Sequence, residues 1–520
     1  MSSSPGSPGI YITETLLPIQ NTNTPGEAVG VIASVYNRGP NIPTLITSWP
    51  QFTQKYGTFA QVIGSSSMHY AAYQFFNNNG SQLYVLAIPN TDATVASHAF
   101  VDTNDPTDNV LTVSAYSPGT WGNQIYVALT TAGTSGRFNY VVYYGGSASS
   151  NIVETFIDLS INPADSRYIG SIINSPSYGS TYTKVTVSLP SNTYTSGIDD
   201  PALVSATSLT GGADGSTPPT LGTAIPPLLD MLQGTILNVN VPGVYDASTI
   251  NALATWAAGR GDVMLIVDGP VPSPPETSAQ VVTNYVNLVT GGSPFSSSTY
   301  LTLYAPWIQI SDPASALPGA TRWVAPGGAI LGIWSNTDNV AGPQQSPAGV
   351  VYGQIKLVNV EALFTSEDLT TLTANNINAI RLLPNYYPAV MGVRTLAQGF
   401  PDRYISVRRM LIKLEHDFTY LLQPSLFEPN NTTLWLQIEN ILTNYLTGLM
   451  QQGELGGTNA SDSFIVTCDS TNNTPATAAA GIVNATVSVA LNSPSEFILI
   501  NISQFQASGT TTITTSNTGA

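Results

Sequence analysis

From residue 235 to 334 the chain alternates short apolar runs with helical ones, and this alternation restricts the available folds more than any other feature. Residues 235–241, 263–268 and 299–305 are strand-like and rich in Val, Ile and Leu. Between them, 246–259 and 276–289 have helical spacing, and a further helix is expected near 326–334. Strands separated by helices of this length predict parallel neighbours joined by crossovers. A second segment has the same texture. AVGVIASV at 28–35 reads as a buried strand, and Trp49, Phe52 and Tyr56 share one face of a helix over 48–56. A helix over 66–76 then leads through Gly80 to a strand at 82–88. Together the two segments predict one discontinuous α/β core, residues 21–90 and 211–360.

The residues between them, 91–210, read differently. Runs at 110–115, 124–131, 138–144 and 183–189 alternate apolar side chains with Thr, Ser or Asn, and the turns carry Pro, Gly and Asn. This pattern predicts an inserted β-sandwich domain, closing through a flexible return at 209–215. Residues 361–496 predict a C-terminal α+β domain with amphipathic helices over 403–422 and 431–451. The second helix presents Leu434, Trp435, Ile438, Ile441, Leu442, Tyr445 and Leu449 on one side. Strands are expected at 463–468, 485–491 and 496–503, followed by a mobile Thr/Ser/Gly tail. At the other end, in an arm formed by residues 1–20, Ile10-Tyr11-Ile12-Thr13-Glu14 is an alternating strand with no hairpin partner nearby.

Composition narrows the function. Charged residues are only 9% of the 520, against about 25% in ordinary soluble domains. Such a surface suits a protein covered by copies of itself, although a lineage habit of using Asn and Thr gives the same numbers. The net charge of -17 argues against a nucleic-acid partner, which requires a basic face. Six of the fourteen Lys and Arg fall between Arg381 and Lys413. That stretch either docks an acidic partner or pairs internally. Cys468 is the single cysteine, so no internal disulfide forms. The start MSSSPGSPGIYITE lacks the basic and apolar regions of a secretory signal. No apolar run approaches the roughly 18 residues of a membrane span. Synthesis in the cytoplasm without membrane insertion is the expectation.

Catalytic options are few. His69, His98 and His416 are the only histidines; His69 reads as packed, the other two as solvated. No G-x-S-x-G elbow, P-loop or G-x-G-x-x-G is present. Asp102, Asp105 and Asp108 lack the order of a calcium loop and read as turn residues beside Pro106. Glu367 and Asp368 mark a helix start. No catalytic constellation, metal site or cofactor is expected.

A series of local patterns, in order, resembles the tail sheath proteins of contractile phages and related injection systems. Pro8-Gly9-Ile10-Tyr11 looks like that family's N-terminal arm. Ala28–Ala33, Gly39-Pro40 and Phe75 through Gly80 resemble its first α/β segment, and Ser117-Pro118-Gly119-Thr120-Trp121-Gly122-Asn123 its insert. Val263–Pro270, Tyr304-Ala305-Pro306-Trp307, Val324-Ala325-Pro326 and Ser346-Pro347-Ala348-Gly349 continue the series. The C-terminal patterns are the most specific: Gly392-Val393-Arg394-Thr395-Leu396, Tyr404-Ile405-Ser406-Val407-Arg408-Arg409, Phe427-Glu428-Pro429-Asn430, Gly453-Glu454-Leu455 and Pro494-Ser495-Glu496-Phe497-Ile498. Val393 stands where the family has Ala.

The resemblance implies a parallel, subtilisin-like, non-catalytic α/β core with the inserted β-sandwich, the C-terminal α+β domain and extended strand arms at both ends. It implies a helical homo-polymer around an inner tail tube, held in a metastable extended state and triggered from a baseplate, with a terminator protein at the far end. Strand exchange between subunits would use Ile10, Tyr11, Ile12, Thr13 and Glu14 at one end. At the other it would use Phe497, Ile498, Leu499, Ile500, Asn501 and Ile502. Candidates for the inner-tube contact are Arg394, Arg403, Arg408, Arg409 and Lys413, or the helix 431–451. The setting is a virion tail or a bacterial injection system assembled in the cytoplasm. A capsid-associated or surface β protein and a degenerate hydrolase are the rival readings.

Overall fold

The computed structural model describes residues 28–61, 67–189, 194–195, 199–273, 276–399 and 403–497, with the backbone of residues 504–505 and 512–513. The expected strand 10–14 lies outside these residues. Near the start come strands Val29–Val35 (β1) and Thr44–Ile46 (β2), helices Trp49–Tyr56 (α1) and Ser67–Asn77 (α2), and strand Leu83–Ile88 (β3). The Ser48 hydroxyl accepts from the Gln51 amide and caps α1, as Ser at such a position does. β1, α1, α2 and β3 each fall within one residue of their expected places, and the short edge strand β2 is an addition.

Next come strands Ser97–Val101 (β4), Asn109–Ala115 (β5), Ile125–Thr131 (β6), Phe138–Tyr144 (β7) and Ile152–Leu159 (β8). Helix Ile169–Ile173 (α3) and strands Thr183–Val187 (β9) and Val204–Ser208 (β10) follow. They form sheets of order β4-β5-β9 and β10-β6-β7-β8. One apolar cluster, including Phe100, Leu111, Val127, Tyr140 and Val142, fills the space between the sheets, which makes the pair a sandwich. Strands β4, β8 and β10 went unread because each is half exposed, so its apolar alternation is weak.

The return at 209–215 is not flexible, contrary to expectation. The Asp214 carboxylate accepts from the Thr120 amide at 2.9 Å, the Thr120 hydroxyl at 2.6 Å and the Asn37 amide group at 3.2 Å. Beside it, buried Arg38 lies about 5 Å from the ring centres of Trp121, Tyr144 and Tyr182. Carboxylate and guanidinium together fasten the sandwich to the residues that follow β1.

After the sandwich run helix Leu221–Leu229 (α4), strand Leu237–Asn240 (β11), helix Ala247–Arg260 (α5) and strand Val263–Val267 (β12). Helix Ser278–Thr290 (α6) and strands Leu301–Ala305 (β13), Ile308–Ser311 (β14) and Thr321–Val324 (β15) come next. Then follow helices Gly327–Ala341 (α7) and Gly349–Tyr352 (α8), strand Asn359–Val360 (β16), helix Ser366–Ala374 (α9), and strands Ile377–Arg381 (β17) and Ala389–Val390 (β18). The principal sheet has the order β18-β17-β13-β12-β11-β1-β3-β2. Its six inner strands are mutually parallel, and both edge strands are antiparallel. Every residue of β12 and β13 is buried, the pattern of a sheet covered on both faces. Helices α2 and α7 pack on one face; α4, α5, α6 and α9 pack on the other. The expected boundary at 361 cuts through this sheet, because β17 pairs with β13 from beyond it. Helix α7 runs seven residues past the expected 334. Its second half is polar in sequence, yet Thr337 and Asp338 are buried.

Helices Ile405–Leu422 (α10) and Thr432–Gln451 (α11) then pack as a pair. Met410 and Leu414 of α10 meet Leu446 and Leu449 of α11. Helix Ala460–Ser463 (α12), strand Phe464–Thr467 (β19), helix Pro475–Ala479 (α13) and strand Thr486–Val489 (β20) complete this region. β19 and β20 pair antiparallel. Thr512–Ile513, within the tail 507–520 expected to be mobile, pairs antiparallel with Gln504–Phe505. Among the described residues no helix is long and apolar enough to cross a membrane.

Candidate functional site

The carboxyl end of a parallel sheet is where α/β folds usually hold ligands. Here the start of α7 takes up part of that position, beside a cavity of about 230 Å³ lined by Gly243, Trp307 and Ala325 among others. Asp268, fully buried at the end of β12, accepts from the Gly327 amide at 2.8 Å. Its other oxygen accepts from the Asn240 side chain and the Gly243 amide, each at 3.1 Å. Burial pushes the Asp268 carboxyl upward, and the three donors oppose the shift. The first residue of α7 must be glycine, since a Cβ at 327 would lie 2.1 Å from the Asn240 side-chain nitrogen. Nearby, burial and the Glu276 charge raise half-buried Glu361 to about 7, against the Trp307 amide that donates to it.

The histidines form no relay. His69 is buried in α2 with its Nε2 3.1 Å from the Gly57 carbonyl, and burial lowers its pKa to about 4. The ring sits edge-on to Tyr36 and Phe52. His98 packs against Phe100. His416 is not on a solvated face: its Nε2 is 2.9 Å from the Gly234 carbonyl, and its side chain is largely covered. The Asp102 and Asp105 carboxylates accept from amides two residues on, as turn residues do. Among the described residues no three His, Cys, Asp or Glu gather to hold a metal.

The cationic stretch is brought together on α10 and just before it, but its charge is neutralised within the subunit. Arg394 makes a two-pronged pair with Glu496, at 2.9 and 2.6 Å, and donates to the Thr373 carbonyl. Arg408 pairs with Glu415 and lies over the Tyr300 ring. Arg409 is 3% exposed, paired with Asp338 and stacked on Trp334. Lys413 stands between Asp417 at 3.3 Å and Glu454 at 3.5 Å, with the Tyr445 hydroxyl at 3.2 Å. Arg403 lies over the Tyr404 ring. Of the two readings of this stretch, internal pairing is the one found for Arg394, Arg408, Arg409 and Lys413. A buried Arg409 presents no charge to a partner in this conformation. Its acid lies 71 residues away in sequence, beyond the reach of any local pattern.

The pair Arg394–Glu496 also fastens the last described stretch, residues 490–497, to the residues before α10. Residues 490–497 form no strand, and Phe497 is 72% exposed at the rim of a cavity of about 560 Å³. Arg381, Met391, Gly392 and Ser495 also line that cavity. The remaining predicted exchange residues, 10–14 and 498–502, lie outside the described residues. Elsewhere, β19 and β20 form a sheet of two strands. Their inner side chains, Phe464, Val466, Val487 and Val489, pack toward the helix pair, while Ile465 faces outward at 61% exposure.

No family model matches the chain. Over 155 residues, 29% of this chain, it is 33% identical to a tail sheath protein of Vibrio phage KVP40, a match that spans 22% of that relative. Similarity of structure is far more extensive. The helical sheath of the anti-feeding prophage in its contracted state is similar at a TM-score of 0.56 and 19% identity, covering 96% of this chain and 100% of that one. A sheath tail protein from Listeria innocua is similar at a TM-score of 0.57 and 12% identity, covering 86% of this chain and 90% of that one. At these identities the likeness is one of fold: the chain has the mixed α/β, multi-sheet fold of sheath proteins.

Proposed function

We propose that this chain is the sheath subunit of a contractile tail, which polymerises helically around an inner tube and contracts to drive that tube through a target envelope. The reading is carried by the correspondence of fold with a sheath chain across nearly the whole of both molecules. A non-catalytic, subtilisin-like core is what the family resemblance implies, with Asp268 tying β12 to Asn240, Gly243 and the start of α7. In this scheme the sandwich is an outer domain, and the α10–α11 region faces the tube. Because four of the five candidate cations are engaged internally, the tube contact belongs to helix α11. Baseplate and terminator proteins complete the set of partners, with the subunit made in the host cytoplasm and finishing in the virion tail.

Subunits are joined by their arms. Residues 10–14 and 497–502 of neighbours add strands to the β19–β20 sheet, which is marginal as a pair and gains backbone partners at its edges. Each added hydrogen bond contributes about 0.5–1.5 kcal/mol, so a strand of five residues contributes a few kcal/mol per subunit. Such links hinge while staying bonded. Two packings of rigid cores, coupled along the polymer, then suffice for contraction without nucleotide.

Electron microscopy of the purified chain tests the reading. Long hollow tubes with a cogwheel section are expected, and monodisperse particles would count against it. Removing residues 1–14 should leave a folded subunit that no longer forms regular tubes; normal tubes would sink the exchange role of that end. The likeness to the anti-feeding prophage favours a second reading, the same role in an injection system without a capsid. Capsid genes beside this one would decide for the virion.

A further inference from the structure

The loop joining α10 to α11 holds a side chain in a position that its own subunit does not explain. Phe427 is fully exposed, at 104% of its reference area, and its φ of +67° lies in the left-handed region, where a bulky residue is a genuine outlier. Leu426 next to it, Tyr420 near the end of α10 and Leu436 near the start of α11 are each more than half exposed. The next residue, Glu428, has no ion-pair partner among the described residues. The loop is an apolar knob with one carboxylate at its side.

A groove of matching chemistry lies elsewhere on the same subunit. A cavity of about 540 Å³ beside α7 is lined by Ile333, Val351, Ile355, Lys356 and Tyr387, among others. Val351 and Tyr387 stand at its rim, 70% and 72% exposed. Lys356 donates to the Asn77 carbonyl and has no carboxylate partner among the described residues. Other cations fit less well. Arg38 is buried among rings, and Arg381 lines the cavity partly walled by the chain's own residues 492–497. Lys55 and Lys184 share a smaller cavity of about 250 Å³, so each faces a second cation.

We propose that Phe427 and Glu428 of one subunit dock in the groove of a second copy, the ring against Val351 and Tyr387 and the carboxylate on Lys356. The inference rests on the polymer reading above and names one of its contacts. Knob and groove are different patches of one subunit, so the contact is heterologous and propagates without closing.

The test measures the critical concentration for assembly of the full-length chain by sedimentation, with a thermal midpoint for each dispersed subunit. Phe427→Ser should leave that midpoint unchanged or higher, because it relieves an exposed ring at positive φ, yet raise the critical concentration about tenfold or more. Glu428→Lys and Lys356→Glu should each weaken assembly, and the double exchange should restore it to within about threefold of wild type. Wild-type behaviour of Phe427→Ser, or a double exchange no better than its parents, overturns the contact while the polymer reading stands. Loss of tube-protein binding with unchanged self-assembly assigns the knob to the tube and equally overturns it. A wild-type chain that never assembles removes the polymer reading and this contact together.

Discussion

At the scale of single residues, the buried ionisable groups make the sharpest demands. Arg409→Met leaves Asp338 buried without its cation and should cost about 3–5 kcal/mol in urea unfolding. Replacing both, Arg409→Met with Asp338→Leu, should cost much less; equal losses would refute pairing as the reason. Two further groups oppose each other in pH. His69 binds a proton at about 4 in the fold against 6.5 when free, so its contribution is lost as pH falls from 6.5 toward 4. Glu361 titrates at about 7 against 4.5. It stays protonated while the unfolded chain ionises, so stability falls as pH rises from 4.5 to 7. Glu361→Gln should therefore raise the thermal midpoint at pH 8 and leave it unchanged at pH 4. His69→Gln should flatten the acid limb, whatever its effect at neutral pH. A Glu361→Gln difference as large at pH 4 as at pH 8 would rule out this linkage. Little of this was legible in the sequence. The sequence left Arg409 open between partner docking and internal pairing and did not single out Asp338 as its acid, because each takes its meaning from the other across 71 positions.

Elements were far easier to read. The strands of the principal sheet are buried on both faces and appear as unbroken apolar runs, so β1, β3, β11, β12 and β13 were placed to within about two residues. The strands that escaped, such as β4 and β8, show alternation diluted by exposure, and residues 377–381 fall beyond the expected core boundary because the pairing of β17 with β13 is not written in the strand's own residues. Helix contacts were also hidden. A Cβ on Gly328 would meet the Ala71 carbonyl oxygen at 2.4 Å, and one on Gly332 would meet that of Phe75 at 2.5 Å, so α2 and α7 touch backbone to backbone. Gly332→Leu should force them apart and cost at least the 1–3 kcal/mol of an overpacked core, read as a lower urea midpoint. A variant as stable as the parent would show that the interface yields freely.

For the whole molecule, charge is the governing quantity. A chain of net charge -17 repels its copies, and at least six of its fourteen cations, among the described residues, are already held in internal pairs. Assembly should become easier as salt rises from about 0.01 to 0.15 M, where the screening length shortens from about 30 to 8 Å. A critical concentration that rises over this range would contradict the reasoning. The family resemblance was legible because many short patterns recur in one order along the chain, some in strands such as β1 and β12 and others in turns. What the sequence hid was how the ends are fastened. Tension applied to the chain beyond Phe497 meets Glu496 first and passes through its two bonds to Arg394. The Arg394 amide is in turn bound to the side chain of Asn378 in β17. The load path thus enters the principal sheet sideways, spread across neighbouring strands by Asn378 and its bond to the Leu303 carbonyl in β13. A subunit moored in this way can be hauled by its end without its helices being unravelled first.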